Sequence, residues 1–285
     1  MVAFTIYGFP IYRYWIFYAL AFVFGYLWLM WIGKKGWFKE YPKVQYFLTD
    51  GLEDLLFSIA VGVILWGRLW HAFIYNHNYY LQHLIEVFQI WKWGMSFIGG
   101  ILGVVVCMGS YLRSQKASRK DMLILFDLIL AFVPLGIFLW RFWNYLNQEL
   151  YGIPVSLLPE RFATTLKSLH LVHVYPNVDH FLRINTNFLS MIFEWAVLYV
   201  IQCCFFVKMI HKKSFKIWVM STNFLLFYSL IRFFLEYLRA DSQSEFVGIF
   251  TKSQRFFITF FIIAIIIKIY LSKQEKNKNL HIPLS

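Results

Sequence analysis

The chain is short of charge. Of its 285 residues only 15% are Asp, Glu, Lys or Arg, where a water-soluble chain carries about a quarter. That shortage excludes an ordinary soluble domain, and a 22% share of aromatic residues excludes disorder. Cysteine is scarcer still: Cys107, Cys203 and Cys204 all fall inside apolar runs, where they read as small buried hydrophobes and not as a disulfide framework or a metal site. The first apolar run has no basic stretch before it, Arg13 being the first charge, and no small-residue cleavage site after it, so it is expected to remain as a helix. Internal repeats, low-complexity tracts and soluble linkers are also lacking. What is abundant is apolar: 60% of residues are hydrophobic and mean hydropathy is +0.57, so the bilayer is the expected solvent.

Seven stretches reach the roughly twenty apolar residues that cross a bilayer as a helix. They lie near 14 to 32, 53 to 74, 94 to 112, 121 to 140, 189 to 208, 217 to 238 and 255 to 272. Basic residues sort between them. Lys34, Lys35, Lys39 and Lys43 follow the first stretch, Arg113, Lys116, Arg119 and Lys120 the third, Lys208, Lys212, Lys213 and Lys216 the fifth, and Lys273, Lys276 and Lys278 the last, whereas 75 to 90 holds no Lys or Arg. The positive-inside rule then predicts an all-α polytopic membrane protein of one domain over 1–285, with seven helices, the N-terminus outside and the C-terminus inside. It accounts for much of the net charge of +12 without a nucleic-acid partner.

A long connection, about 141 to 188, is expected on the outer side as a signature loop and small head. Its His170, His173 and His180 lack the paired spacing of a zinc site and have no acidic cluster beside them, so no metal is expected there.

Ionisable residues inside spans are costly and mark function by default. Arg68, Asp127, Arg141, Glu149, Glu194, Arg232 and Glu236 are the candidates. Tyr228, Arg232 and Glu236 recur at i+4 and share one helical face, which fits either an intrahelical ion pair or the wall of an anion site. Around Arg141, the residues Asn144, Asn147, Glu149 and Gly152 put two amides, a guanidinium and a carboxylate beside a glycine. That set suits a phospholipid headgroup, because Arg grips phosphate through a planar fork and amides bond hydroxyls.

These residues carry a resemblance. Arg141-x-x-Asn144-x-x-Asn147-x-Glu149-x-Tyr151-Gly152 resembles the G-R-x-G-N-F-x-N-x-E-x-x-G signature of the bacterial prolipoprotein diacylglyceryl transferases. In the same order, Ile11-Tyr12-Arg13-Tyr14 resembles that family's I-R-W-Y-G, Gly67-Arg68-Leu69 its G-A-R-L, Trp91 to Gly100 its W-x-G-G-M-S-F-H-G-G, and Tyr228 to Arg239 its Y-G-x-x-R-F-x-x-E-x-x-R. The likeness spans nearly the whole chain and is weakest in the outer head.

The resemblance implies a transferase of the bacterial plasma (inner) membrane. It would move the diacylglyceryl group of phosphatidylglycerol to the lipobox Cys of a prolipoprotein signal peptide, forming a thioether and releasing glycerol phosphate. Its partners would be these two substrates and membrane lipid, with no metal or redox cofactor. The thiolate is the substrate's own, so the enzyme must gather two lipid-phase substrates, assist deprotonation and stabilise the departing phosphate. Arg141, Arg232 and Glu149 are the implied catalytic residues. Tyr14, Arg68, Gly99, Gly100, Asn144, Asn147, Gly152, Tyr228 and Glu236 are the implied substrate-binding residues.

Two departures touch chemistry. Ile98 stands where the family pattern has the His of F-H-G-G, and Ile184 stands at the His of R-H-P-T-Q, matched here by Arg183-Ile184-Asn185-Thr186-Asn187. A general base must then be a carboxylate or water. A further departure repeats: Trp15, Trp66, Trp70, Trp93, Trp140, Trp143, Trp195 and Trp218 stand where the pattern has Gly. Replacing the smallest residue of a tight interface by the largest eight times conflicts sterically. UGA codons read as Gly by the source organism would account for it. Two other readings stay open: an inactive phosphatidylglycerol-binding paralogue, and a lipid transporter, whose internal repeats are not detected.

Overall fold

The computed structural model describes residues 2–6, 9–90, 94–241, 246–275 and 281–284. Helices dominate: α1 (Arg13–Lys35), α2 (Pro42–Leu48), α3 (Leu52–Trp70), α4 (His77–Gln82), α5 (Phe97–Ser114), α6 (Arg119–Leu130), α7 (Val133–Leu146), α8 (Glu160–Ser168), α9 (Thr186–Ser190), α10 (Leu198–His211), α11 (Val219–Glu236) and α12 (Lys252–Glu275). Short antiparallel pairs decorate them: β1 (Val2–Ile6) with β2 (Phe9–Tyr12), β3 (Val172–Val174) with β4 (Leu182–Ile184), β5 (Ser214–Lys216) with a late strand His281–Pro283, and Phe246–Val247 with Phe250–Thr251.

Five of the described helical runs are long and apolar enough to cross a membrane: Leu52–Tyr75, Arg119–Leu146, Thr186–His211, Val219–Glu236 and Ser253–Lys273. Gly99–Ser114 is apolar but shorter. The chain is thus an all-α, multi-pass membrane protein. One boundary is corrected. The run expected to end near 140 continues to Leu146, so Arg141 and Asn144 lie on helix α7 and not in a loop. Its one interruption, at Ala131 and Phe132, sits just ahead of Pro134, which supplies no N–H and is tolerated only in a first helical turn.

The chain forms two compact units, Tyr26–Leu125 and a second made of Met1–Gly25 with Phe126–Leu284. In the first, α3 and α5 pack backbone to backbone. A Cβ on Gly62 would meet the Gly103 carbonyl oxygen at 2.4 Å, and one on Gly103 would meet that of Gly62 at 2.0 Å. Small residues permit such close approach where lipid gives helices little hydrophobic reason to associate. Ser96 caps α5 by accepting a bond from Gly99 N at 3.2 Å.

In the second unit, α7, α9, α10 and α11 surround a π-helical turn, Met191–Val197. Ile137, Leu198, Phe224 and Tyr228 form one buried apolar cluster there. Asp127, one of the charges expected to mark function, instead caps α11. Its carboxylate accepts from Ser221 N at 2.9 Å and from the Ser221 hydroxyl, the placement that a positive helix N-terminus favours.

Candidate active site

The site is assembled from three elements of the second unit. Arg141 Nε on α7 donates to Glu194 Oε2 at 2.9 Å. Glu194 sits on the π-helical turn, and its other oxygen lies 3.3 Å from Arg232 Nη1 on α11. Arg232 Nη2 is 2.9 Å from Glu236 Oε2, one turn further on. Glu236 also meets Arg239 Nη1 at 2.9 Å, and Arg239 Nη2 meets Asp241 at 2.7 Å. Three cations and three anions thus alternate in one row. Glu194 is 0% exposed and Arg141, Arg232, Glu236 and Arg239 are all buried, so each charge depends on its neighbours for the solvation it has lost.

Arg141 is engaged through Nε alone; among the described residues its terminal nitrogens donate no hydrogen bond. Asn144, three residues further along α7 and 1% exposed, likewise has an Nδ2 without a partner. Residues at this spacing share a helical face. A free planar fork and a free amide on one face are donors suited to an anionic or hydroxylated headgroup.

Beyond α7 the chain turns sharply. Gln148 and Leu150 have φ of +58° and +53°, left-handed backbone on both sides of Glu149. Such conformations persist where the surroundings over-determine them, and here they do. Asn187 Nδ2 donates to Glu149 O at 2.7 Å, Thr186 Oγ1 to Leu150 O, and Arg183 Nη1 to Gly152 O at 2.9 Å, while Gly152 N donates to Ile184 O at 3.2 Å. The segment 183–187 therefore holds the whole signature turn. Gly152 is needed there because a Cβ would meet Ile184 O at 2.5 Å. Asn147 Nδ2 donates to Glu149 Oε1 at 3.2 Å. Burial pushes the Glu149 carboxyl above the ordinary carboxylate range, the Asn147 bond opposing it.

The head supports this turn through aromatic contact. Arg183 lies 4.9 Å over the Tyr151 ring, and His173 packs against Tyr145 and Tyr175 at 5.1 and 5.0 Å. Asp179 receives Arg183 Nε at 3.1 Å, which holds its carboxyl below the usual range. Tyr175 is fully buried and donates to Asn185 Oδ1, and burial pushes its phenol up.

Of the residues expected from the sequence, Arg141, Asn144, Asn147, Glu149, Gly152, Tyr228, Arg232 and Glu236 lie in this unit. Tyr228 is buried one turn before Arg232, stacked on Phe224 at 5.4 Å. The side chains of Tyr14, Trp15 and Ile98 lie outside the described residues, as do Trp91 and Trp93 altogether. Arg68, Gly99 and Gly100 belong to the other unit. There Arg68 is spent on backbone: Nε donates to Val87 O at 3.0 Å, Nη2 to Glu86 O at 2.7 Å and Nη1 to Gly94 O at 3.0 Å, with Tyr80 5.1 Å away. Gly99 lies where a Cβ would meet Trp66 O and Trp70 Cβ, each at 2.4 Å, so it serves the α3 to α5 seam.

Sequence reasoning singled out Glu194 as an unusual charge and matched Arg239 and 183–187 to family motifs, but gave none of them a role, and it missed Asp241. A carboxylate in a span was the available signal for Glu194. The substitution at 184 also changes meaning. Ile184 is packed among Val155, Leu189 and Leu235 and serves the turn through its backbone alone, so its side chain belongs to the core.

The tryptophans at glycine positions leave marks in the backbone and in the packing. Trp218 has φ +73°, left-handed backbone that favours glycine. Trp143 is buried beside the signature, and the Nε1 of Trp195, next to Glu194, is buried without a hydrogen-bond partner.

A model of the family described as prolipoprotein diacylglyceryl transferase matches residues 1–270. Among similar proteins, one from Ehrlichia ruminantium (strain Gardel) is 31% identical over 224 residues, 78% of each chain. One from Methylobacillus flagellatus is 31% identical over 256 residues, 87% of this chain and 85% of the relative. A third, from Janthinobacterium sp. (strain Marseille), is 32% identical over 219 residues, 76% and 72% of the two chains. All three are named phosphatidylglycerol–prolipoprotein diacylglyceryl transferase. With the signature turn, the buried arginines and this extent of match, the chain belongs to the prolipoprotein diacylglyceryl transferase family.

Proposed function

We propose that the chain transfers the diacylglyceryl group of phosphatidylglycerol to the lipobox cysteine of prolipoproteins, with the row from Arg141 to Asp241 as its anion site. The thiolate sulfur forms a bond to the glyceryl carbon bearing the phosphate oxygen. That carbon–oxygen bond breaks, and its electron pair leaves on glycerol phosphate. Arg141 and Arg232 stabilise the departing phosphate. Glu149, held on its strained turn, takes the thiol proton, and a carboxyl raised by burial is a better base than an exposed one. Asn144, Asn147, Gly152, Tyr14, Tyr228 and Glu236 line or orient the headgroup site; in the other unit, Arg68 holds the carbonyls of Glu86, Val87 and Gly94.

In this reading the chain is one integral domain of the bacterial plasma membrane. It crosses seven times, N-terminus out and C-terminus in, with 141–188 as the outer signature segment and head. Loop charge supports the orientation. The observation that carries the reading is the buried Arg141, held by Glu194 at Nε while its terminal nitrogens donate no hydrogen bond among the described residues, since that planar fork suits a bidentate phosphate. The test is a mass assay of a lipobox peptide incubated with the full chain and phosphatidylglycerol. Addition of one diacylglyceryl group supports the reading; a chain that binds the lipid yet yields no product up to about pH 9, where most unperturbed thiols are ionised, overturns it.

A further inference from the structure

Glu194 is the one carboxylate in the row whose two oxygens go to arginines on two different helices, Oε2 to Arg141 on α7 and Oε1 to Arg232 on α11. It is wholly buried. It also rides on a π-helical turn, a widened helical segment that recurs at functional sites because it redirects one side chain at some cost to the helix. The way it holds each arginine differs. Arg232 is shared between Glu194 and Glu236, so two of its nitrogens are spent. Arg141 is held at Nε, the nitrogen nearest the chain, which leaves the planar outer edge of the guanidinium open.

We propose that Glu194 is a positioning residue of the transfer reaction, locking Arg141 and Arg232 to each other and turning the open edge of Arg141 to the lipid phosphate. This rests on reading the row as the anion site. A carboxylate bonded across the two terminal nitrogens would have blocked that edge; bonding at Nε fixes the plane and leaves the fork for a bidentate phosphate. Glu194 also sets charge. Without its negative charge the two arginines carry an uncompensated cation, which attracts an anionic lipid and holds the product phosphate but no longer aims the fork. Positioning, and not attraction, is what it contributes, and the two can be separated.

The experiment uses the full chain in nanodiscs of phosphatidylcholine with graded phosphatidylglycerol. Kinetics are read with a lipobox peptide, and lipid binding by native mass spectrometry. Glu194→Gln is expected to lower kcat by roughly tenfold, the scale of one lost positioning bond, while KM for phosphatidylglycerol stays level or falls. In the binding arm, Arg141→Lys is expected to weaken phosphatidylglycerol binding by roughly fivefold in the parent chain and under about twofold in the Glu194→Gln chain, because coupled residues do not add. Equal effects of Arg141→Lys in both backgrounds, or a kcat per folded molecule unchanged by Glu194→Gln, overturns the proposal. If Glu194→Gln does not fold, Glu194→Asp keeps the charge but shortens the reach, and the same split in kcat and KM is required of it. Absence of product from the parent chain would sink the transferase reading, and the binding cycle would still decide the role of Glu194.

Discussion

Arg141 and Glu194 are 53 residues apart in sequence, yet Nε of one meets Oε2 of the other at 2.9 Å with both side chains buried. Their bond joins the signature helix to the π-helical turn. Arg141→Lys keeps the charge and loses the fork, so transfer is expected to fall by roughly one to two orders of magnitude with membrane insertion intact. Arg232→Lys should do likewise. Lys116→Ala, in a basic loop, should leave the rate unchanged. Parent rates in both arginine variants would remove the phosphate role.

Glu149 supplies a pH signature. Its carboxyl titrates above the ordinary value because burial disfavours the charge. A raised carboxylate contributes stability that is fully present below its unfolded value and is lost as pH rises through its folded one. Glu149→Gln should therefore flatten the decline of the thermal midpoint as pH rises above about 4.3. Transfer in the parent chain should rise across that same window, as the carboxylate becomes a base, and should be nearly abolished by the substitution. A pH profile with the same acid limb in both proteins would argue against Glu149 as the base.

Ile98 and Ile184 should respond in opposite ways to histidine. Ile184→His puts a polar ring among Val155, Leu189 and Leu235, at a cost of about 1 to 3 kcal/mol, and should lower the melting temperature without raising activity. Ile98→His supplies imidazole on α5, which is a competent base near neutrality, and is expected to raise transfer modestly and move the pH optimum towards 7. A gain of activity at 184, or a loss at 98, would reverse the assignment.

Trp218 should prefer to be glycine. Left-handed backbone costs a residue with a Cβ about 1 kcal/mol or more, so Trp218→Gly is expected to raise the melting temperature of the purified chain. Genomic codons at this and the other seven positions should be UGA, and the intact mass of the protein from its own source should show Gly there. UGG codons at these positions would reject recoding.

Topology is checked apart from chemistry. Single cysteines at 116 and 165 should label from opposite faces of the membrane, 116 from inside and 165 from outside. Labelling of both from one face would remove the seven-helix reading.

Local physics made much of this protein legible in its sequence. Shortage of charge and long apolar runs determine that the chain crosses a membrane, because a bilayer leaves helices as the spanning structure for such runs. The i+4 spacing of Arg232 and Glu236 determines their ion pair, which forms at 2.9 Å. The signature is legible as a set, since Arg141, Asn144, Asn147 and Glu149 are close in sequence. Only the tertiary structure decided which distant groups complete it. No periodicity links Glu194 to Arg141, and nothing in Arg183 to Asn187 announces that they clasp the turn around Glu149. Arg68 shows the same limit from the other side: nothing in its own stretch announces that its guanidinium donates to the carbonyls of Glu86, Val87 and Gly94. Buried polar groups bond to whatever the chain's closure brings within reach, and that closure is decided by packing between helices, which no single stretch of sequence contains.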